Sequence, residues 1–460
     1  MMNNHARKKR FAIVGTGARS GMYIRAAVGT YAPHAELVGL CDASPTRMNY
    51  WNQVVADDFG HPPLPTYTDA QFDQMVRETK PDVVIVTTVD SAHHQYIVRA
   101  LELGCDAVTE KPMTTDADKA RAIFDAVDRT GGHVTVTFNY RYMPVFTKLR
   151  EIILSGEIGE PTLVDFQWHL DTSHGADYFR RWHREKSKSG GLLVHKATHH
   201  FDLVNFWVGS TPKTVFAMGD TRFYGKANAE ARGETYGYDR YTGEPAARDD
   251  PFCVGLVEQD KHPRGAKADK KRYKALYYDA EHEPYGFGDE GYIRDRNVFS
   301  DKWPLDAEDT MAVCARYRNG VILSYSLIAY CPWEGERVSI QGTKGRLEYF
   351  ARGEGHIISG QTDEELGQQQ HQAEQVLRIQ KMFEPPVELE IPTAAGGHGG
   401  GDARILDQIY LPDPPADPFN RSATHIDGAA SLMMGLAANE AIRTGRAVDV
   451  DELLGLPQVR

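Results

Sequence analysis

Apolar and polar positions along the first third of the chain alternate between two patterns. "RFAIVGTG", "AELVGLCD", "PDVVIVTTV", "CDAVTEKP" and "HVTVTFNYR" are short apolar runs rich in β-branched residues, as strands buried on both faces must be. Between them lie stretches with apolar residues at helical spacing, such as "SAHHQYIVRALELG" and "DADKARAIFDAVDRTG", both ending on glycine as many helices do. Strand, helix, strand repeated in this way predicts a doubly wound parallel sheet, because right-handed crossovers must cover both its faces. The predicted unit spans residues 1–142.

Beyond residue 142 the pattern changes. A helix, "VFTKLREIILSGEIG", precedes a strand, "PTLVDFQWHL"; later come "TMAVCARYR", "GVILSYSLIAY", "ERVSIQGT" and "GRLEYF". Their alternation predicts antiparallel neighbours with one buried face, and Asn319-Gly320 is a strong hairpin signal between the first two. Residues 143–460 thus read as an α+β domain with a large, mainly antiparallel sheet. Residues 220–307, rich in Tyr, Gly, Asp and Lys, interrupt it; such an insertion is a functional loop, an oligomer contact or a mobile segment. A small-residue helix over 424–444 is expected to pack near the domain junction.

Composition narrows the class. At 460 residues two or three domains are expected, and a net charge of −12 argues against nucleic acid or an anionic membrane as partner. Cys41, Cys105, Cys253, Cys314 and Cys331 are scattered and odd in number, which reads as reduced, buried thiols of a cytoplasmic protein. The basic start "MMNNHARKKRFAIVGTG" lacks the apolar stretch of a signal peptide, and no run has the length of a membrane span.

"IVGTGARSG" follows the first strand and opens a helix. Gly15 and Gly17 suit a tight turn that lets the backbone approach a pyrophosphate, with Ala18, Arg19 and Ser20 leading into the helix N-terminus. Ser20 or Gly21 must serve where a third glycine usually stands. Asp42 ends the second strand at about the spacing from which an acid accepts the ribose hydroxyls of a dinucleotide. These features predict a Rossmann domain. Asp42 would repel a 2′-phosphate, so NAD is expected over NADP, with Arg47 the nearest cation that could meet such a phosphate.

Two further segments hold candidate chemistry. "TEKPMTTD" lies at the carboxyl end of a strand, the edge at which open α/β sheets bind ligands, and Pro112 restrains Lys111 there. "GGLLVHKATHHFDLVNFW", residues 190–207, sets His195, Lys196, His199, His200 and Asp202 into an apolar helix. Ionisable groups in such a run cost free energy unless they are paired or used. His195, His199 and Asp202 are spaced to share one helical face; Lys196 and His200 lie about 100° further round.

The glycine turn, the "EKP" at 110–112 and the "GG…H..D" segment at 190–202 together resemble the Gfo/Idh/MocA oxidoreductases. The resemblance runs from Arg10 to the closing helix and implies a nucleotide-binding domain followed by an α/β domain with an open sheet, often used for contacts in a homo-oligomer, here a dimer or tetramer. It assigns Glu110 and Lys111 to the cofactor side of the site and makes Lys111 and His199 catalytic. The family's D-x-G-x-H-x-x-D pattern puts its first acid on His195, its glycine on Ala197, its histidine on His199 and its last acid on Asp202; Lys196 and His200 are additions.

Other residues are candidates to line a sugar-sized pocket: Asn139, Tyr140 and Arg141 after the last strand of the first domain, and Tyr178, Arg181, Trp182 and His183 before the helix. Each is equally suited to interdomain packing. "GGHGGGD" at 396–402 is a flexible loop or one pressed close over a ligand. His195 and His199 also have the spacing of a zinc helix, with Asp202 or Glu110 to complete it, but Lys196 would repel a metal ion and none is assigned.

The expected activity is oxidation of a secondary hydroxyl of a sugar, cyclitol or glycoside by NAD, or the reverse. His199 serves as base, Lys111 polarises the oxygen, and His195 relays the proton or orients ring hydroxyls. Lys196, His200 and Asp202 join the substrate side. A second reading keeps NAD tightly bound and oxidises only transiently, so that a glycosidic group can be eliminated, water added and the sugar re-reduced. The glycosidase branch of the family has a Tyr-Pro-Thr-His stretch that "VHKATHHFD" does not match. A third, a cofactor-sensing regulator, needs neither Lys111 nor His199.

Overall fold

The computed structural model describes residues 7–241, 244–253, 275–276, 296–353, 374–394 and 397–454. Its first sheet holds β1 (Lys9–Val14), β2 (Ala35–Cys41), β3 (Thr66–Tyr67), β4 (Val83–Val86), β5 (Asp106–Thr109) and β6 (Val134–Val136). All pair in parallel, in the order β6-β5-β4-β1-β2-β3. Every residue of β4 is buried, because helices cover both faces. These helices are bounded by local chemistry. The Ser44 side chain caps Pro45–Phe59 and Asp116 caps Ala117–Thr130; each helix ends on a glycine in the left-handed conformation. Strand order reverses between β1 and β4, so a crevice opens at their carboxyl ends, where such sheets bind ligands.

The second sheet begins with β7 (Pro161–Asp171) and continues with β8 (Pro212–Asp220), β9 (Thr310–Tyr317), β10 (Ile322–Cys331), β11 (Gly335–Gly342), β12 (Gly345–Arg352), β13 (Glu374–Lys381) and β14 (Val387–Glu388). The strands β9 and β10 alternate buried and more exposed residues, the mark of a sheet with one covered face. Their turn is the expected hairpin at Asn319-Gly320, with Gly320 at φ +91°. One expectation is corrected. The strands β10 and β11 are not neighbours: β7 lies between them, parallel to β10 and antiparallel to β11, with Phe166 opposite both Tyr325 and Val338. Local alternation marks each strand but not which distant strand lies beside it.

Two short strands close the chain. The first, β15 (Ala423–Thr424), returns to the first sheet and pairs antiparallel with β6; β16 (Val448–Asp449) pairs with β8. Between them runs the helix His425–Thr444, started by a capping box of Thr424 and Asp427. Its small residues permit close contact with both halves. A Cβ on Gly428 would lie 2.9 Å from Val136, and one on Gly435 would lie 2.5 Å from the Leu193 carbonyl oxygen. Among the described residues no helix is long and apolar enough to cross a membrane.

Candidate active site

The turn after β1 is shaped by its glycines. Gly15 has φ +84°, and a Cβ there would lie 2.6 Å from the Thr87 and Thr88 backbone. The third glycine role falls to Gly21: a Cβ would meet the Trp51 ring at 2.3 Å, so helix Ser20–Val28 seats on helix Pro45–Phe59 only with glycine there. Ser20 instead donates its hydroxyl to the Gly17 carbonyl at 2.7 Å. A Cβ on Gly17 would meet nothing within 4 Å, so the space beside that residue is open. Asp42 is buried and accepts from the Thr16 backbone N–H and hydroxyl and from the Ser44 N–H, which joins the end of β2 to the turn.

Arg19 leaves this turn and bonds Glu110 Oε1 at 2.6 Å, with Asp402 Oδ1 at 3.4 Å. Tyr23 donates to the same Glu110 oxygen at 2.8 Å. Burial alone would raise the Glu110 carboxyl; Arg19 and Lys111 outweigh it and hold the group low. Lys111 Nζ donates to the His195 carbonyl oxygen at 3.2 Å. Burial lowers the Lys111 ammonium, while Asp90 and Glu110 act in the opposite sense.

The helix expected from residue 192 onward is two segments, Leu192–His195 and Thr198–Val208, with Lys196 and Ala197 between them. Gly190 and Gly191, at φ +73° and +78°, reverse the chain into it from helix Lys186–Ser189. Its two side-chain sets point different ways, as the spacing predicts. His195 Nδ1 lies 2.5 Å from Asp90 Oδ2, beside β4. His199 stacks on Tyr140 with ring centroids 4.1 Å apart. Lys196 and His200 instead face β7: the Lys196 ammonium lies 4.6 Å from the Trp168 ring centre, and His200 stacks on that ring at 4.3 Å.

Electrostatics sorts these groups further. Burial pushes the His199 imidazole well below its usual value, and the ammonium groups of Lys111 and Lys196 push the same way, so the ring is neutral at physiological pH. Its Nδ1 is buried without a hydrogen-bond partner among the described residues. His195 is depressed by the same causes, burial and then Lys111. His200 is fully buried, with Nδ1 2.7 Å from the Tyr325 hydroxyl.

Several candidates have other partners than those expected. Asp202 does not face open space: Arg141 grips it with two hydrogen bonds, at 2.7 and 2.6 Å, and reaches Asp427 at 2.9 Å. This buried cluster ties the turn after β6 to the site helix and the C-terminal helix. Asn139 donates to Asp402 at 2.7 Å. Tyr140 stands centrally, accepting from Lys196 at 3.2 Å. Arg181 pairs with Asp177 at 3.2 Å, and Trp182 stacks on His183 at 3.7 Å, with both rings edge-on to His195. Described parts of the 220–307 insertion clamp this segment: Arg296 pairs with Glu185 at 2.9 Å, and Arg184 donates to the Ser300 carbonyl at 3.0 Å.

Comparison with known proteins bears on the whole arrangement. Residues 9–138 match the model of the oxidoreductase family's NAD-binding Rossmann fold, and residues 150–450 match its C-terminal alpha/beta domain. The chain belongs to the Gfo/Idh/MocA oxidoreductase family. It is 34% identical over 464 residues to a Bacillus subtilis protein described as an oxidoreductase, YteT, covering 98% of this chain and 100% of that one. It is 26% identical to an inositol 2-dehydrogenase of Rhizobium meliloti, over 50% of this chain and 71% of the relative. An aldose-aldose oxidoreductase from Caulobacter crescentus shares the fold, with a TM-score of 0.59 at 17% identity over 96% of this chain and 100% of that one.

The family's cofactor is NAD, and the residues present fit it. The left-handed Gly15, the open space at Gly17 and the helix that starts at Ser20 form a cradle for a diphosphate. Asp42 stands at the end of β2, and Arg47 is buried with its Nε donating to the Leu276 carbonyl at 3.2 Å. Among the described residues no three His, Cys, Asp or Glu side chains are gathered to hold a metal.

Sequence reasoning missed four residues. Asp90 was within reach of it, being an acid just past the carboxyl end of β4 in "PDVVIVTTVD". Asp402 and His398 sit in the glycine loop, bonded at 3.0 Å. Glu336, near the start of β11, is buried and acted on by Lys196; no local signal distinguishes it from an ordinary strand acid.

Proposed function

We propose that this protein uses NAD to oxidise a secondary ring hydroxyl of a sugar, cyclitol or glycoside, or runs the reverse reduction. NAD, when bound, supplies acceptance of a hydride from the carbinol carbon; the chain's own residues manage position and protons. Gly15, Gly17, Ala18, Arg19, Ser20 and Asp42 hold the cofactor. His199, neutral and buried, takes the hydroxyl proton. Lys111 stabilises the negative charge that develops on the oxygen. His195, fixed by Asp90, orients a neighbouring hydroxyl, with Asn139, Tyr140, Lys196, Arg181 and Trp182 around the ring. We assign Arg141, Asp202 and His200 to the framework that holds the site, because Arg141 and Asp202 grip each other and His200 Nδ1 meets the Tyr325 hydroxyl while its ring packs on Trp168.

The reading is carried by the unpartnered Nδ1 of the buried His199, since a buried polar atom left without a partner costs roughly 1–3 kcal/mol unless a ligand supplies one. The inositol 2-dehydrogenase among the relatives supports a cyclitol or sugar ring as substrate. The test is NADH formation with a panel of inositols, aldoses and hexopyranosides, alongside direct titration of NAD. Saturable NADH formation with at least one of them is expected. Tight NAD binding with no turnover of any would overturn the reading in favour of a cofactor sensor.

A further inference from the structure

The side of the site helix that faces β7 gathers polar groups that proton transfer from a hydroxyl does not use. Lys196 sits in the break between Leu192–His195 and Thr198–Val208, its ammonium 4.6 Å from the Trp168 ring centre. Trp168 on β7 is paired directly with Glu336 on β11, so the two side chains rise from one face of the sheet. Both reach the same ammonium, Trp168 with its ring and Glu336 through its charge. All three residues are buried.

What these groups present is hydrogen-bond donors. The Trp168 indole N–H, which can only donate, has no partner among the described residues. The Glu336 carboxyl forms no hydrogen bond among them either. Burial and then Glu334 push that carboxyl up to about 8, so at neutral pH it carries its proton and can donate. Tyr140 accepts from Lys196 at 3.2 Å, which leaves its own hydrogen to point onward. The other acids of the crevice are engaged: Glu334 with His174 at 2.8 Å, Asp90 with His195, Glu110 with Arg19 and Asp402 with Asn139.

Donors gathered beside a positive charge and a neutral acid suit an anionic group that only accepts. We propose that the substrate ring carries a carboxylate, as a hexuronic acid or its glycoside does, and that Lys196, Trp168, Tyr140 and Glu336 hold it. The proposal rests on the oxidation described above and narrows its substrate class. An ionised carboxylate has two oxygens and about four acceptor positions, enough for all of these donors, whereas a hydroxyl would meet only part of them. A single ammonium among neutral donors suits a monoanion better than a phosphate, which arginine forks bind more readily. The spacing agrees. Tyr140 lies between the proposed subsite and the base, with Lys196 on its hydroxyl and His199 stacked on its ring at 4.1 Å. One pyranose can therefore set its carboxylate against Lys196 and a ring hydroxyl against His199. Lys196 is also an addition to the family's motif, so that motif by itself does not supply the subsite.

Binding to the NADH-loaded protein separates recognition from hydride transfer. The probes are the α- and β-methyl glycosides of glucuronate and galacturonate, their carboxamides, the parent neutral hexosides and the hexoside 6-phosphates, titrated by calorimetry. At least one uronate should bind about 100-fold tighter than its carboxamide and its neutral parent. In Lys196→Met that preference should nearly vanish, and in Trp168→Phe, which keeps an aromatic ring but lacks the N–H, it should fall about tenfold. Absence of binding by every uronate overturns the proposal, as does equal binding of uronate, carboxamide and neutral parent, or a preference that survives in both variants. Tighter binding of the 6-phosphates would overturn it in favour of a sugar phosphate. NADH formation from NAD tells the two readings apart. A uronate that binds as described but yields no NADH overturns the oxidation alone; neutral hexosides oxidised as readily as uronates overturn the carboxylate subsite alone.

Discussion

Asp90 Oδ2 lies 2.5 Å from His195 Nδ1, and Asp90 also acts on Lys111 across the same crevice. Burial pushes the Asp90 carboxyl well up, and Lys111 is the main charge opposing that. The reciprocal effect falls on Lys111, whose ammonium is lowered by burial and raised by Asp90. Asp90→Asn should therefore lower the Lys111 pKa further. The high-pH limb of kcat, where Lys111 loses its proton, should move to lower pH, with kcat itself down about tenfold to a hundredfold. A pH–rate profile for both proteins checks this; an unmoved limb would dissociate Asp90 from the chemistry.

On the site helix, roles separate by face. Replacing His199 by Asn or Lys111 by Ala should depress kcat by about two to four orders of magnitude with NAD affinity little changed. His200→Asn should act on stability instead, because that ring is packed on Trp168 and bonded to Tyr325. Lys196→Met removes a charge that disfavours the His199 imidazolium, so the rising limb of the oxidation profile should move to higher pH. Rates measured across pH together with melting temperatures distinguish the two classes.

How much of this was legible in the chain depends on the range of the interaction. The doubly wound sheet is written in local runs, and the carboxyl-edge rule then brings Gly15, Lys111 and Asp90 to one crevice. That His195 and His200 point different ways follows from helical spacing; that one meets Asp90 and the other Tyr325 does not. What the chain does not reveal is long-range choice of partner. Arg141 could as well have met a substrate as Asp202, sixty-one residues on, and only the packed fold decides it. The place of β7 between β10 and β11 is hidden for the same reason, as is the reach of Asp402 to Arg19. Glycines made the loop at 397–400 readable as special without showing where it lies.

The Arg141–Asp202–Asp427 cluster gives a prediction about stability. Asp202→Ala leaves the buried Arg141 with Asp427 alone and should cost about 3–5 kcal/mol. Since Asp202 faces Arg141 and not the open side of the crevice, kcat at permissive temperature should fall far less than in His199→Asn. Denaturant unfolding and kinetics on the same samples measure both quantities.

Cofactor choice turns on Asp42. Its carboxylate holds the Thr16 backbone and hydroxyl, so Asp42→Ala should weaken NAD binding by loosening the turn and narrow the preference over NADP by removing the charge that repels a 2′-phosphate. Arg47 should contribute little to any gain in NADP affinity, because its guanidinium is engaged with the Leu276 carbonyl. Titration of both dinucleotides into wild type and Asp42→Ala reads the gap directly. Tighter NADP binding by the wild-type protein would sink the assignment.

Glu336 offers a test through pH. Burial, then the neighbouring Glu334, pushes its carboxyl up to about 8, with Lys196 opposing. The unfolded chain would ionise this group near its ordinary value, so between roughly pH 4 and pH 8 the folded state binds the extra proton. Its contribution to stability is fully present below the lower value and is lost as pH rises through the upper one. Each unit of such a shift corresponds to about 1.4 kcal/mol, so the loss amounts to a few kcal/mol in all. Glu336→Gln keeps the shape and cannot ionise. Its melting temperature should match or fall below the wild type at pH 5 and exceed it by a few degrees at pH 9. A difference between the two proteins that stays constant from pH 5 to 9 would mean that Glu336 titrates as an ordinary exposed acid, and that Lys196 faces a carboxylate rather than a protonated acid at neutral pH.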